Sequence, residues 1–276
     1  MQIRALSWNL FHGRDKPPDP GLFTWRSRLL RISERNDTHV QVNRDLLAAF
    51  SEVLAGAEWD VALLQETPPR WAEPLARACK AEAHRVLTSR NALGALRAAL
   101  ARHNPDLMAS GEGGSNLTLV RPASPAGGIV ERREMQISGP GAPERRAMAM
   151  TRTAAGLHLA NLHATNDRPD IAAEEVIQSA TATTSWAGDA PLIFGGDLNL
   201  RPQSSPEAFE QLRDSFGLTA PTAPDAIDHL LARNLRVVEP PSPWPAERRE
   251  LPAGGRLALR PSDHTPVAAT FELAGT

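Results

Sequence analysis

Short apolar runs broken by turn residues dominate the chain, and they predict strands. Residues 3–10 form the first run and residues 59–65 (WDVALLQ) the second. The second is apolar almost without alternation, which predicts a strand buried on both faces. Residues 116–121, 128–137, 145–153 and 157–163 follow at the spacing of a meander. In the third of these, Arg146, Met148, Met150 and Arg152 share one face, and Ala147 and Ala149 share the other. Residues 191–194, 226–231, 235–238 and 266–271 complete the set. Helical periodicity is rarer. Asp37 and Thr38 offer an N-cap to a helix over 40–54, and helices are also predicted over 68–80, 92–101 and 169–186. Two connections, 12–36 and 240–261, are longer than a compact domain needs, and loops of that length are usually functional or disordered.

Several of these strands end in a polar residue that a core does not explain. Asn9 closes the first, Glu66 the second and His163 the run LHLANLH. Asp197 and Asn199 follow PLIFGG, Asp228 interrupts AIDHLL, and Asp263 and His264 precede TPVAATF. In strands that run together, such residues gather at one rim, where loops carry chemistry. Taken singly, Asn9 and Asp228 read more readily as turn formers, through local backbone hydrogen bonds. Glu66 is different, because a carboxylate at the end of a buried strand needs a partner or a metal. In GGDLN (195–199) two glycines permit a tight turn, and Asp197 and Asn199, two apart, point the same way on an extended segment.

Composition narrows the chemistry. Cys79 is the only cysteine, so neither an internal disulfide nor a thiolate cage is available. Oxygen and amide donors suit Mg²⁺ or Mn²⁺ better than zinc. At 276 residues and 41% hydrophobic, residues 1–276 are expected to form one domain with a large core. A net charge of −2 and an aromatic content of 5% oppose a tight grip on long or single-stranded nucleic acid. The first ten residues lack a basic start and a cleavage site, and no apolar run is long enough for a membrane span, so a cytoplasmic location is expected.

The pieces SWN (7–9), LLQE (63–66), NLH (161–163), GGDLN (195–199), ID (227–228) and SDH (262–264) occur in an order that resembles the endonuclease/exonuclease/phosphatase superfamily. SNLTLVR (115–121) and ERRAM (144–148) are more loosely similar to two further strands of that superfamily. The resemblance implies an α+β fold, a four-layered αββα sandwich of two packed mixed sheets. It also implies a metal-dependent phosphoric ester hydrolase. Glu66 would be the main ligand of Mg²⁺ (or Mn²⁺), helped by Asn9 and Asp263. Asp197 would orient and deprotonate the attacking water, with Asn199 fixing geometry. His264, held by Asp228, would donate to phosphate oxygens, and Asn116 and Arg146 would contact substrate. Abasic-site endonucleases of the superfamily carry a tyrosine near position 163, and this chain has none. NLH instead resembles pancreatic-type deoxyribonucleases, sphingomyelinases and related phosphatases, where the histidine contacts phosphate or assists the leaving group. The substrate class stays open between nucleic acid and small or lipid phosphoesters. A catalytically silent binding module on the same fold is the competing reading, opposed by the intact set of polar residues. His12 would contact substrate or cap its loop, and Arg26, Arg28, Arg31 and Arg35 form a solvated face or a substrate funnel.

Overall fold

The buried run at 59–65 becomes the strand Val61–Thr67, and its side chains serve two layers at once. Ala62 and Leu64 pack outward with Phe50, Leu54 and Leu75, while Val61 and Leu63 pack inward with Ile193 and Leu230. A strand apolar on both faces must be covered on both. In the computed structural model, which describes residues 1–88, 93–139 and 144–273, that cover is complete. One six-stranded sheet runs in the order Arg236–Pro243, Val267–Glu272, Gln2–Asn9, Val61–Thr67, Ser115–Val120, Glu82–Leu87. A five-stranded sheet runs Asp228–Arg233, Leu192–Asp197, His158–His163, Ala147–Thr153, Ile129–Gln136. Both are mixed, since each combines parallel and antiparallel pairs.

Three apolar layers hold the sheets and helices together. The inner faces of the two sheets share one core, which includes Ile3, Leu63, Leu159, Ile193 and Phe271. The outer face of the first sheet lies under helices Leu47–Gly56 and Ala72–Ala78, and the rings of Trp8, Phe50 and Trp71 pack there at tilted angles. The outer face of the second lies under helices Pro169–Ala187 and Pro206–Phe216, around Met148, Val176, Phe194 and Leu212. Met148 and Ala149 thus enter different layers, as the alternation in that strand requires. The result is the four-layered αββα sandwich.

Where the fold departs from the sequence reading, local side-chain chemistry is responsible. The helix expected over 40–54 begins only at Leu47, and its first part is the strand His39–Gln41. Val42 N–H donates to Asp15 (2.9 Å), and Asn43 donates to the carbonyls of Ser27 and Arg28 and to Asn104, so these residues are drawn out of any helix. Asp45 accepts from Leu47 N–H (2.9 Å) and starts the helix there. Helix Gly94–His103 replaces the one expected over 92–101, and Ala92 lies outside the described residues. Strand Glu82–Leu87 and helices Pro105–Glu112 and Pro206–Phe216 were not anticipated; proline opens each of these two helices, where its missing N–H costs nothing.

The two long connections turn out to be structured and joined to each other. Residues 12–36 hold the short helix Trp25–Leu30 and the strand Glu34–Arg35, and 240–261 hold Leu251–Pro252 and Ala258–Leu259. Ala258–Leu259 pairs in parallel with His39–Gln41, Asp15 bridges to Pro261, and His39 Nε2 lies 3.1 Å from Glu250. Together they wall one end of the six-stranded sheet. Among the described residues, no helix is long and apolar enough to cross a membrane.

Candidate active site

Strand register brings the polar residues together. Gln2–Asn9 and Val61–Thr67 are parallel with Asn9 opposite Gln65, so Asn9 and Glu66 leave the first sheet at the same end. Val267–Glu272 runs antiparallel to Gln2–Asn9 with Val267 opposite Ser7, which places Ser262 to His264 just beyond Asn9. In the second sheet His163 is opposite Asp197 in parallel, and Asp228 is opposite Asp197 in antiparallel register. Six strand ends therefore open on one rim.

Glu66 reaches that rim through a bulge. Pairing with Ser115–Val120 slips between Leu64 and Thr67, and Glu66 has φ +46°. A left-handed backbone at a residue other than glycine costs on the order of 1–3 kcal/mol and persists only where its surroundings impose it. Phe11, His12, Asn199 and Ser262 have positive φ as well, so strain gathers around this rim.

Gly195 and Gly196 explain the rest of GGDLN. A Cβ at Gly196 (φ +132°) would overlap the carbonyl oxygen of Leu162, and one at Gly195 would overlap that of His229. Neighbouring backbones close in on both sides of the strand, and that approach sets Asp197 between Asn9 and His163. Gly196→Ala is expected to destabilise the protein by about 3 kcal/mol or more, read as a lowered Tm, because the obstacle is backbone on a paired strand.

Asp197 is the hub of the site. Its Oδ2 accepts from Asn9 Nδ2 (2.9 Å) and lies 3.5 Å from His163 Nε2 and 3.8 Å from His264 Nε2. Burial pushes its carboxyl up to about 7, and the charge of Asp228 adds to the effect. His264 Nδ1 lies 2.7 Å from Asp228 Oδ2. Burial alone would lower the His264 pKa, but the carboxylates of Asp228 and Asp197 outweigh it and raise it to about 10. The imidazole is thus a cation with Nε2–H free to turn toward a ligand. Its loop is fixed from three sides: Ser262 Oγ donates to Asn9 O (2.6 Å) and accepts from His264 N–H (3.0 Å), Trp8 Nε1 donates to His264 O (3.1 Å), and buried Arg249 donates to the same carbonyl.

This arrangement has a pH signature. A histidine pKa raised on folding contributes stability fully below its unfolded value of about 6.5, and that contribution is lost as pH rises through about 10. An imidazole NMR titration of metal-free protein is expected to show His264 still protonated at pH 8. Asp228→Asn should return it toward the ordinary range and cost roughly 3 kcal/mol at neutral pH, since it strips one partner from a largely buried pair. An unmoved titration would place the charge on some other pair.

Glu66 and the other two histidines complete the cluster. His12 Nε2 is 3.2 Å from Glu66 Oε2, and His163 Nε2 is 3.9 Å from Glu66 Oε1. Burial lowers both histidines, His163 to about 3 with Arg146 adding to the effect, so both are neutral near pH 7. Arg146 Nη1 donates to His163 Nδ1 (3.0 Å), which leaves the ring proton on Nε2, facing Asp197 and Glu66. Glu66 itself is held well below the usual carboxylate range: desolvation works against its charge, and the cationic His264 and Arg14 nearby favour it. It is a partly exposed carboxylate whose ion-pair partners, among the described residues, are neutral imidazoles.

A carboxylate whose direct contacts are neutral rings fits a divalent cation, with oxygen donors of the kind Mg²⁺ takes. Asn9 Oδ1 accepts from Phe11 N–H (3.0 Å) and keeps a second lone pair. Asp263 is exposed beside the rim, near enough to feel the charge of Glu66. Asp197, Asp228 and His264 also bring one donor atom each within 4.8 Å of one another. There, however, the imidazole is protonated and its Nδ1 is committed to Asp228, so this trio carries protons more readily than it holds a metal.

Two of the expected residues have mainly internal bonds. Asn199 Nδ2 donates to Ala164 O (2.9 Å) while its N–H donates to Asp197 Oδ1 (3.1 Å), so it clamps the loop and orients the carboxylate. Asn116 is fully buried and donates to Ala147 O (2.8 Å), joining the two sheets, with its Oδ1 unpartnered. Arg146 lies in the cluster. Sequence reasoning missed Ser262 as a support, Arg14 as a nearby cation, and the buried pair Gln65–Asn161 (2.8 Å) that ties the sheets under the site. Gln65 carried a signal, as an amide inside an apolar run, and Ser262 as the first residue of SDH; Arg14 carried none.

Residues 6–264 match the profile of the Endonuclease/Exonuclease/phosphatase family. The chain belongs to this family. No curated protein gives a significant match to the sequence. Among solved structures, an endonuclease/exonuclease/phosphatase family protein from Bacteroides thetaiotaomicron is similar with a TM-score of 0.64 at 14% identity, over 100% of this chain and 99% of that one. The mannosyl-6-phosphatase Bt3783 of Bacteroides thetaiotaomicron VPI-5482 aligns at 0.63 and 14% identity, over 98% and 99%. Truncated TDP2 of Caenorhabditis elegans aligns at 0.54 and 16%, over 99% and 98%. At such identities these likenesses support the sandwich and leave the substrate to be argued from the site. The chain is thus an endonuclease/exonuclease/phosphatase family phosphoesterase with a candidate metal site.

Proposed function

We propose that the protein is a Mg²⁺- or Mn²⁺-dependent hydrolase of a compact phosphoester, cleaving it by attack of water on phosphorus. The carrying observation is that Asp197 is shared by Asn9, His163 and His264 beside an ionised Glu66, at a rim assembled from six strand ends. Glu66, with Asn9 and Asp263, would hold the cation, whose role when bound is to polarise a phosphoryl oxygen and offset charge on the leaving group.

The chain's own groups account for the remaining chemistry. Asp197, raised to about 7, accepts a proton from water efficiently near neutral pH. Asn9 and Asn199 fix its two oxygens. His264, kept cationic by Asp228, donates from Nε2 to a phosphoryl oxygen. His163, with its proton on Nε2, donates to a second oxygen or to the leaving group, and Arg146 holds it there. Asn116 acts from below, through its hold on the strand that follows Arg146. A binding module would have no need of a strained Glu66 or of two histidines held in different charge states.

A compact substrate is favoured by the net charge of −2, which opposes a tight grip on a long polyanion. Nucleic acid is the second class to test. Purified protein should be assayed with Mg²⁺ or Mn²⁺ against sugar phosphates, nucleotides, phospholipids, oligonucleotides and plasmid. Hydrolysis of a small or lipid phosphoester, stopped by EDTA, is the expected result. Cleavage confined to polynucleotide would overturn the substrate class, and inertness toward all of them would overturn the hydrolase.

A further inference from the structure

Exposed apolar surface is concentrated in one place. Of the large apolar side chains that stand exposed among the described residues, all but Met1 and Val130 lie in 25–32 and 93–107. Trp25, Leu29 and Ile32 are spaced four and three apart, and Leu93, Leu96 and Leu100 three and four. Trp25 and Leu29 share one face of helix Trp25–Leu30, and Leu96 and Leu100 one face of helix Gly94–His103, while Ile32 and Leu93 stand in the turns just outside those helices. The two segments are neighbours: Asn104 Nδ2 donates to Arg28 O (2.9 Å), and Arg31 Nη1 lies 3.5 Å from His103.

Arginine dominates the surface charge of these segments. Arg26, Arg31, Arg35 and Arg102 are exposed. The only carboxylates in 25–35 and 93–107 are Glu34, which accepts from Thr24 (2.9 Å), and buried Asp106. A chain of net charge −2 therefore carries here a face that is both apolar and cationic. Leucines and a tryptophan interleaved with arginines match an anionic lipid surface.

We propose that this face docks the protein onto membranes bearing anionic lipid headgroups. The apolar stripes enter the boundary between headgroup and acyl chain, and the arginines pair with phosphate. Helix Pro105–Glu112, which continues from the leucine-bearing helix, packs on the Phe11–Gly13 turn that aims His12 at Glu66. Docking through this face would hold the catalytic rim close to the lipid surface. The inference does not depend on the catalytic reading, because binding is measured without hydrolysis.

The full chain is sedimented with vesicles of phosphatidylcholine, or of phosphatidylcholine with phosphatidylglycerol, in EDTA. It is expected to pellet with the anionic vesicles and to be released by high salt. Leu29→Ser with Leu96→Ser, and separately Arg26→Ala with Arg31→Ala, should each lower partitioning on the order of tenfold. All four side chains are exposed, and the circular dichroism spectrum of each variant checks its fold. Absence of pelleting, or equal pelleting of wild type and both variants, overturns the proposal. So does vesicle-free light scattering that shows a dimer abolished by the leucine substitutions, since a second copy would then be the occupant.

Discussion

Asp197→Asn is expected to lower kcat by a factor on the order of 10² or more for every phosphoester the protein accepts, with a much smaller change in KM. The substitution preserves volume, and the new amide oxygen can still accept from Asn9, so the geometry should survive. What disappears is the group that takes the proton from water, and that interaction is made mainly in the transition state. His264→Ala should have an effect of similar size, because it removes a cationic donor held by Asp228. Steady-state kinetics on the best substrate, with circular dichroism to confirm folding, decide the matter. A full kcat in Asp197→Asn would transfer the role of base to another group.

Glu66→Gln should produce the second large effect, a loss of Mg²⁺ affinity on the order of 10²-fold in calorimetry. The carboxylate is ionised and partly exposed, and the imidazoles in contact with it are ones that burial keeps neutral, so its charge is available to a cation. Glutamine keeps the shape and one oxygen but loses the charge. The bulge should remain, since neighbouring strand pairings impose it and not the carboxylate. Unchanged affinity would remove Glu66 from the ligand set and favour the trio of Asp197, Asp228 and His264.

Much of this arrangement was legible in the sequence because strand ends obey a simple rule. Asn9, Glu66, His163 and Asp197 each close an apolar run, and parallel or antiparallel pairing then had few ways to keep them apart. The left-handed turn at Glu66 was not legible, since it follows from a register slip against a strand some fifty residues away. The helix expected over 40–54 failed for a related reason. Its apolar positions fit both periods, and long-range bonds to Asp15 and Asn104 kept the first half out of the helix. The same distance hid the pairing of 39–40 with 258–259, which converts two apparent loops into one wall. Asn199 was found as a site residue, yet its grip on Ala164 O required the fold.

Hydrolysis in ¹⁸O-enriched water tests the central claim most directly. With Mg²⁺ present, the account predicts that the new oxygen enters the phosphoryl product and not the released alcohol, and that both label and turnover fall away in Asp197→Asn. Label in the alcohol, or incorporation indifferent to Asp197 and to chelation, would contradict water attack on phosphorus at this rim.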